Sequence, residues 1–117
     1  MSADQALGFS MRGTANMRLN EPGKAIADFT SCLAITPEDD NALINRGAVY
    51  YSSYRQYDKA MADYNRAIEI NPQGGYFANR SGCYYMMGDM ERAKADARTA
   101  IEKGIQLPDG YKQQLGL

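Results

Sequence analysis

Between residues 39 and 70, the apolar positions recur three or four residues apart in two separate runs. The first run contains Leu43, Gly47 and Tyr50, and the polar stretch SSYRQY interrupts it. The second run consists of Ala60, Tyr64, Ala67 and Ile68, and a proline follows it. This spacing is typical of amphipathic helices, and a proline commonly follows a helix end. The pattern therefore predicts two helices joined by a short turn.

The same two-helix unit occurs three times, because each of Arg12, Arg46 and Arg80 lies 34 positions from its neighbour in this set. FSMRGTAN, LINRGAVY and FANRSGCY begin the units, and KAIADFTSCLAITP, KAMADYNRAIEINP and RAKADARTAIEKG complete them. Such periods are the mark of repeat architectures. The predicted helices are 3–19, 22–35, 39–53, 56–70, 74–87 and 90–103, with a short seventh at 108–115. The repeats would span about 6–39, 40–73 and 74–106, and residues 107–117 would form a partial cap.

In its repeated residues the chain resembles the tetratricopeptide repeat family, whose pattern is W-x2-L-G-x2-Y, A-x3-F and a closing proline. The matching positions in the second repeat are Leu43, Arg46, Gly47, Tyr50, Ala60, Tyr64 and Pro72. The resemblance implies an all-α fold, a right-handed α-solenoid of three helix-turn-helix repeats. The second repeat has one extra residue between Tyr50 and Ala60, which we expect in the turn. The third has Ala97 where an aromatic residue is expected, and the tail is short for a capping helix.

Small residues recur in the middle of each first helix, at Gly13, Gly47 and Ser81. A mid-helix glycine costs roughly 1 kcal/mol relative to alanine, so its recurrence predicts a partner helix that approaches closely. We expect the opposing contacts at Ala25, Ala60 and Ala93. Of the paired tyrosines, Tyr50 and Tyr84 would fall on the packing face, and Tyr51 and Tyr85 would border the inner face.

Arginine stands where the family pattern has leucine, and aspartate recurs on every second helix. The six positions are Arg12, Arg46, Arg80, Asp28, Asp63 and Asp96. We expect a structural ladder of partly buried Arg–Asp pairs, because an unpaired buried charge is costly. Whether each pair forms within a repeat or between repeats stays open, and direct contact of these arginines with a ligand is the alternative.

The resemblance also implies a concave groove lined by the first helix of each repeat, where a peptide or a partner helix binds. Carried over by register, the groove positions are Ser10, Thr14, Met17, Asn45, Ala48, Tyr51, Ser52, Asn79, Gly82, Tyr85 and Met86. The amides of Asn45 and Asn79 would suit an extended backbone, since an amide both donates and accepts hydrogen bonds; the alternative is that they only face water. A family subclass grips terminal carboxylates with lysine, asparagine and arginine. Its lysines are missing here, so we expect no such clamp.

Composition narrows the function classes. The net charge of −1 and pI near 5.3 provide no basic field for nucleic acid, and no apolar stretch is long enough for membrane insertion. The absence of histidine removes the usual general base and the commonest metal ligand. We therefore expect no enzyme, no cofactor and no metal. Cys32 and Cys83 are interpreted as buried hydrophobic residues, with a redox thiol as the alternative.

The leading function is a non-catalytic interaction module that binds an unidentified protein or peptide. The alternatives are a homo-oligomer assembled through an under-capped end, part of a larger scaffold, and a bacterial secretion-type chaperone. No basic segment followed by an apolar run precedes the repeats. We expect a cytoplasmic location, with a periplasmic or exported one as the alternative for a chain whose leader has been removed.

Overall fold

The computed structural model describes residues 2–117, which form seven helices. They are α1 (Ala3–Arg18), α2 (Pro22–Ile35), α3 (Asp40–Ser53), α4 (Tyr57–Ile70), α5 (Gly74–Met86), α6 (Met90–Glu102) and α7 (Asp109–Leu115). Each predicted helix is present, and its ends agree with the prediction to within one residue. The all-α fold class is confirmed.

Local sequence signals determine where the helices begin. Ser2 caps α1 in a capping box with Gln5, and Pro22 occupies the first turn of α2. The carboxylates of Asp39 and Asp89 accept backbone N–H groups at the starts of α3 and α6. The cap at Asp89 is the one predicted from the sequence.

The two helices of each repeat are joined by three residues, and the middle one is left-handed. These middle residues are Asn20, Arg55 and Gly88, with φ of 56°, 53° and 83°. Glycine and asparagine accept this conformation readily, whereas for other residues it costs about 1–2 kcal/mol. Arg55 therefore carries local backbone strain that the other two turns avoid.

We expected the extra residue of the second repeat in the turn, but it does not lengthen the linker. It lengthens the end of α3, because all three linkers have the same length. In repeats one and three, the N–H of the last linker residue bonds to the carbonyl five residues back, from Glu21 to Asn16 and from Asp89 to Tyr84. In repeat two the corresponding bond spans six residues, from Gln56 to Tyr50. The insertion is thus absorbed in the last turn of α3.

The hairpins α1–α2, α3–α4 and α5–α6 stack in chain order, since α2 also packs on α3 and α4 on α5. The resulting body is elongated, with principal extents of 47 × 25 × 21 Å. The largest fully buried aromatic side chains are Phe29 and Tyr64. A single hairpin cannot bury its apolar face, so the stacking supplies the core.

The mid-helix glycines sit against aromatic rings. A Cβ added at Gly13 would lie 2.8 Å from the ring of Phe29, and one at Gly47 would lie 2.7 Å from that of Tyr64. The nearest opposing groups are therefore these rings, and not Ala25 and Ala60 as expected. A ring at this distance leaves no room for a methyl group, which explains why glycine occupies these two positions.

The third repeat packs differently, because Ala97 replaces the aromatic residue. Ser81 stands at the glycine position, and its hydroxyl donates to the carbonyl of Ala93 at 2.7 Å. The hydroxyl of Tyr111 from α7 lies 2.7 Å from the same Ser81 oxygen. Tyr111 packs with Ala97 and Leu115 in one apolar cluster, and Leu115 is 1% exposed. The short α7 thus covers the end of the third repeat.

Within residues 2–117, no helix combines the length and apolar character needed to cross a lipid bilayer. Over the same range, histidine, cysteine and acidic side chains do not gather in a group of three that could hold a metal ion. Cys32 and Cys83 are buried, and burial raises the pKa of each thiol to about 11.

Candidate binding groove

The Arg–Asp pairs form within each repeat and join its first helix to its second. Arg12 bonds to Asp28 at 2.7 Å, and the analogous pairs of the second and third repeats have their closest contacts at 2.8 and 2.7 Å. Those two pairs are Arg46–Asp63 and Arg80–Asp96. All three aspartates are buried, with 5% of the residue exposed in each. The sequence left open whether the pairs form within or between repeats, and the structure shows that they form within repeats.

Two of the arginines also reach the preceding repeat. Arg46 Nη1 donates to the hydroxyl of Thr30 at 3.2 Å, and Arg80 Nη1 donates to the amide oxygen of Asn65 at 3.0 Å. The Arg46 and Arg80 side chains are only 21% and 20% exposed, whereas that of Arg12 is 66% exposed. The ladder therefore joins neighbouring repeats. In the first pair, which is partly buried as expected, the aspartate is the buried member and Arg12 the exposed one.

Hydrogen bonding also favours the charged forms of the first pair. The bond from Arg12 lowers the pKa of Asp28, burial opposes this effect, and the amide of Asn16 adds to the lowering through a 2.8 Å bond. The same contact with Asp28 raises the pKa of Arg12. The guanidinium groups are thus engaged with structural partners on the side of the first helices that faces the second helices. This geometry favours the structural role over contact with a ligand.

A hollow of about 300 Å³ lies between α3 and α5 on the face carried by the first helices. Five of the predicted groove residues line it: Ala48, Tyr51, Ser52, Asn79 and Gly82. Tyr64 and Ala78 complete the lining. Sequence reasoning did not include these two. Ala78 lies one helical turn before Gly82, a signal that could have found it, whereas Tyr64 enters the hollow from the second helix of its repeat.

The polar groups of the groove differ in what they offer. Thr14 and Ser52 donate their hydroxyl protons to backbone carbonyls of their own helices, at 3.0 and 2.8 Å, so their oxygens remain acceptors. Asn79 is exposed and lines the hollow, whereas Asn45 is half-buried and lies outside its lining. The structure therefore brings one of the two predicted amides, Asn79, to the hollow.

The two inner-face tyrosines have different neighbours. Tyr51 forms a tilted ring pair with Tyr57, at 5.7 Å between centroids, and burial raises the pKa of its hydroxyl. Tyr85 meets the ring of Tyr111 edge-on, also at 5.7 Å. Tyr85 thus packs against the capping helix, while Tyr51 forms a wall of the hollow.

The remaining predicted groove residues lie around this hollow. Met17 lines a smaller one of about 160 Å³ between the ends of α1 and α3, together with Ser52. Met86 is 50% exposed near the end of α5. Ser10 and Thr14 are half-buried on α1. The predicted set is therefore spread along three first helices, and only part of it converges on one cavity.

The repeats and the fold are similar to those of known proteins. The family model described as "Tetratricopeptide repeat" matches residues 41–73, which include α3 from its second residue, α4 and the three residues after it. The Sgt2 tetratricopeptide repeat domain from Aspergillus fumigatus has the same fold at a TM-score of 0.82 and 29% identity. That match covers 95% of this chain and 74% of the Sgt2 chain. The chain belongs to the tetratricopeptide repeat family.

Other members of the family share the full arrangement. The first tetratricopeptide repeat domain of Spaghetti (RPAP3), solved with the HSP90 peptide SRMEEVD, superposes with a TM-score of 0.91. It is 18% identical, and the match covers 99% of this chain and 94% of that one, so the likeness concerns the fold. Heat shock protein STI1 of Saccharomyces cerevisiae is 25% identical over 103 residues, which are 87% of this chain. The chain spans 17% of the length of STI1.

Proposed function

We propose that this tetratricopeptide repeat chain is a non-catalytic interaction module that binds a protein or peptide segment along its first-helix groove. The repeat stack supplies a rigid surface, and binding then needs little reorganisation of the protein. The cytoplasmic location stays a prediction beside this proposal.

The hollow between α3 and α5 is the observation that carries the proposal. Gly82 and Ala48 have side chains too small to fill the space between the helices, while Tyr51 and Asn79 border it. Tyrosine supplies apolar contact and a hydroxyl group, and an exposed amide can pair with a peptide backbone. Concave sites with apolar walls and a few polar groups are the usual form of ligand sites.

The family relatives support the same function. The RPAP3 domain of this fold was solved with a bound peptide, and a co-chaperone of Aspergillus fumigatus, sgt12, is 36% identical over 95 residues. The first of these names describes a peptide-bound domain, and the second describes a co-chaperone. We extend the binding role to this chain and propose that it does not catalyse a reaction.

Selection from a library of random displayed peptides on the immobilised chain tests the proposal. A selected peptide is then titrated by calorimetry against the wild type and against Asn79→Ala and Asn45→Ala. We expect Asn79→Ala to weaken binding about tenfold, equal to about 1.4 kcal/mol, because a hydrogen bond to the peptide backbone is lost. Asn45→Ala should have the smaller effect, since Asn45 lies outside the lining of the hollow.

Gln106→Ala is the control, because Gln106 is an exposed amide in the linker between α6 and α7. Removing it should leave affinity unchanged. Selection that yields no binding peptide, or a peptide that binds all four proteins equally, would overturn the proposal of a groove-binding module.

A further inference from the structure

We infer that the hollow between α3 and α5 is an anchor pocket for one apolar side chain of an uncharged, internal peptide segment. This inference rests on the proposed function and names the ligand that the groove accepts. It departs from an acidic peptide such as SRMEEVD, which accompanies the RPAP3 domain.

The walls of the pocket are mostly apolar. Ala48, Ala78 and Gly82 provide the small sides, and the side chains of Tyr51 and Tyr64 border it. Tyr64 is 2% exposed, so its ring is held firmly in the core. Each methylene group that enters such a space contributes about 0.8 kcal/mol through its removal from water. An apolar side chain is therefore stabilised there.

A charged side chain does not fit this environment. All seven residues that line the pocket carry no charge: Ala48, Tyr51, Ser52, Tyr64, Ala78, Asn79 and Gly82. A carboxylate or ammonium group would lose part of its hydration there without gaining an opposite charge, which is unfavourable. By contrast, the lining of the hollow beside α1 and α2 includes Arg12, Lys24 and Asp28. The pocket between α3 and α5 contains no such charged group.

The polar rim suits the backbone of the same segment. The Ser52 hydroxyl donates to the carbonyl of Ala48 at 2.8 Å, so its oxygen is left to accept a peptide N–H group. The amide of Asn79, at the opposite helix, can both donate and accept. An extended segment could place its backbone on these two groups and one side chain between them. No free chain terminus is required.

Gly82 offers a direct way to fill the pocket. A Cβ added there would lie 3.5 Å from the hydroxyl of Tyr51, which is an ordinary contact, so alanine should not disturb the fold. Gly75 in the same helix has no atom within 4 Å of an added Cβ and lies outside the pocket lining. Gly75→Ala is thus a matched control for Gly82→Ala, with the same chemical change in the same helix.

The experiment uses two peptide libraries, one with both ends joined to linkers and one with a free C-terminus. Peptides selected on the wild-type chain are sequenced, and their affinity is measured for Gly82→Ala, Gly82→Leu and Gly75→Ala. We expect the internal library to yield peptides with an invariant apolar residue and no required charge. Affinity should fall about threefold with alanine and at least about tenfold with leucine at position 82, and stay unchanged with Gly75→Ala. Thermal melting of each variant identifies a folding defect.

Two results would overturn the inference while leaving the proposed function intact. One is selection only of peptides with a required acidic group or free C-terminal carboxylate. The other is affinity that falls with Asn79→Ala but is insensitive to both changes at Gly82. Should Gly82→Leu fail to fold, Gly82→Ala alone decides the second result. Failure of both libraries to yield any binder counts against the proposed function itself.

Discussion

The second and third repeats have equivalent Arg–Asp ion pairs, but the space between their two helices is filled differently. In the second, Gly47 lies beneath the ring of Tyr64, which is supplied by the repeat's own second helix. In the third, Ser81 and Ala97 leave room, and Tyr111 from α7 enters it. An inner repeat has a neighbour on each side, whereas the third repeat receives its aromatic ring from the cap. The difference shows that one packing position can be filled from two places in the chain.

Removal of an arginine from either repeat should give the largest effect, because the ion pair is the feature they share. Arg46→Ala leaves Asp63 buried without its partner and loses the bond to Thr30, and Arg80→Ala does the same to Asp96 and Asn65. We expect each change to lower the free energy of unfolding by about 3 kcal/mol, the low end for a broken buried pair. Urea denaturation measures both values.

Arg12→Ala is the comparison variant for these two, since the Arg12 side chain is 66% exposed. Its cost should be clearly smaller than that of Arg46→Ala. Equal costs for the three arginines would show that the contacts to the preceding repeat contribute little.

The next largest effect should come from a methyl group added at Gly47, against the ring of Tyr64, because the third repeat has no such ring in its second helix. Gly47→Ala places its Cβ 2.7 Å from the Tyr64 ring. Overpacking of this kind costs about 1–3 kcal/mol, and the higher helix propensity of alanine offsets roughly 1 kcal/mol of it. We expect a net loss of stability of up to about 2 kcal/mol by chemical denaturation.

The third repeat has Ala97 where the second has Tyr64, which suggests that removal of the Tyr64 ring would make room for a methyl group at Gly47. In a Tyr64→Ala background, Gly47→Ala should no longer destabilise, which a double-mutant cycle measures as a coupling energy. Additive costs in the cycle would contradict steric exclusion by the ring.

The cap supplies a hydroxyl as well as a ring. Tyr111→Phe removes the 2.7 Å contact with Ser81 and should lower the free energy of unfolding by about 1 kcal/mol. The Tyr85–Tyr111 ring pair would remain. Tyr54→Phe is the matched control, because Tyr54 is 44% exposed, and its melting temperature should stay that of the wild type. If Tyr111→Phe left the free energy of unfolding unchanged, α7 would stabilise the third repeat through its apolar contacts alone.

The turns give the smallest effect. Arg55 adopts φ of 53° in the second repeat, where the third has Gly88 at φ of 83°. Arg55→Gly should relieve strain of about 1–2 kcal/mol but lose conformational entropy, for a net gain of at most about 1 kcal/mol. Gly88→Ala should destabilise by about 1 kcal/mol. A lower melting temperature for Arg55→Gly would mean that the arginine side chain stabilises its turn.

Much of the fold could be predicted from local signals. The 34-residue spacing of the arginines, Pro22 and the cap at Asp89 defined the helices to within one residue. The insertion in the second repeat was visible in the sequence, but its place at the end of α3 was not, because helix ends and turns accept the same residues. Its position depends on which hydrogen bond closes the turn.

The candidate site was less accessible to prediction. Alignment of the repeats with the family pattern predicted five residues on one surface, and the structure shows that they line one hollow: Ala48, Tyr51, Ser52, Asn79 and Gly82. Register could not show that Tyr85 would be covered by Tyr111, because that contact joins residues far apart in the chain. Likewise, the residue closest to each mid-helix glycine depends on the angle at which two helices cross.

The sequence by itself determined the helices and the number of repeats, because these depend on spacing along a regular backbone. Its recurring charges also predicted that arginine pairs with aspartate, although not whether the pairs lie within a repeat or between repeats. The tertiary structure alone decided that Arg46 and Arg80 reach back to the preceding repeat, and that a tyrosine of α7 replaces a missing ring. It also decided which groove residues surround an open space. These features arise between helices, where close packing selects one neighbour among several that the sequence allows.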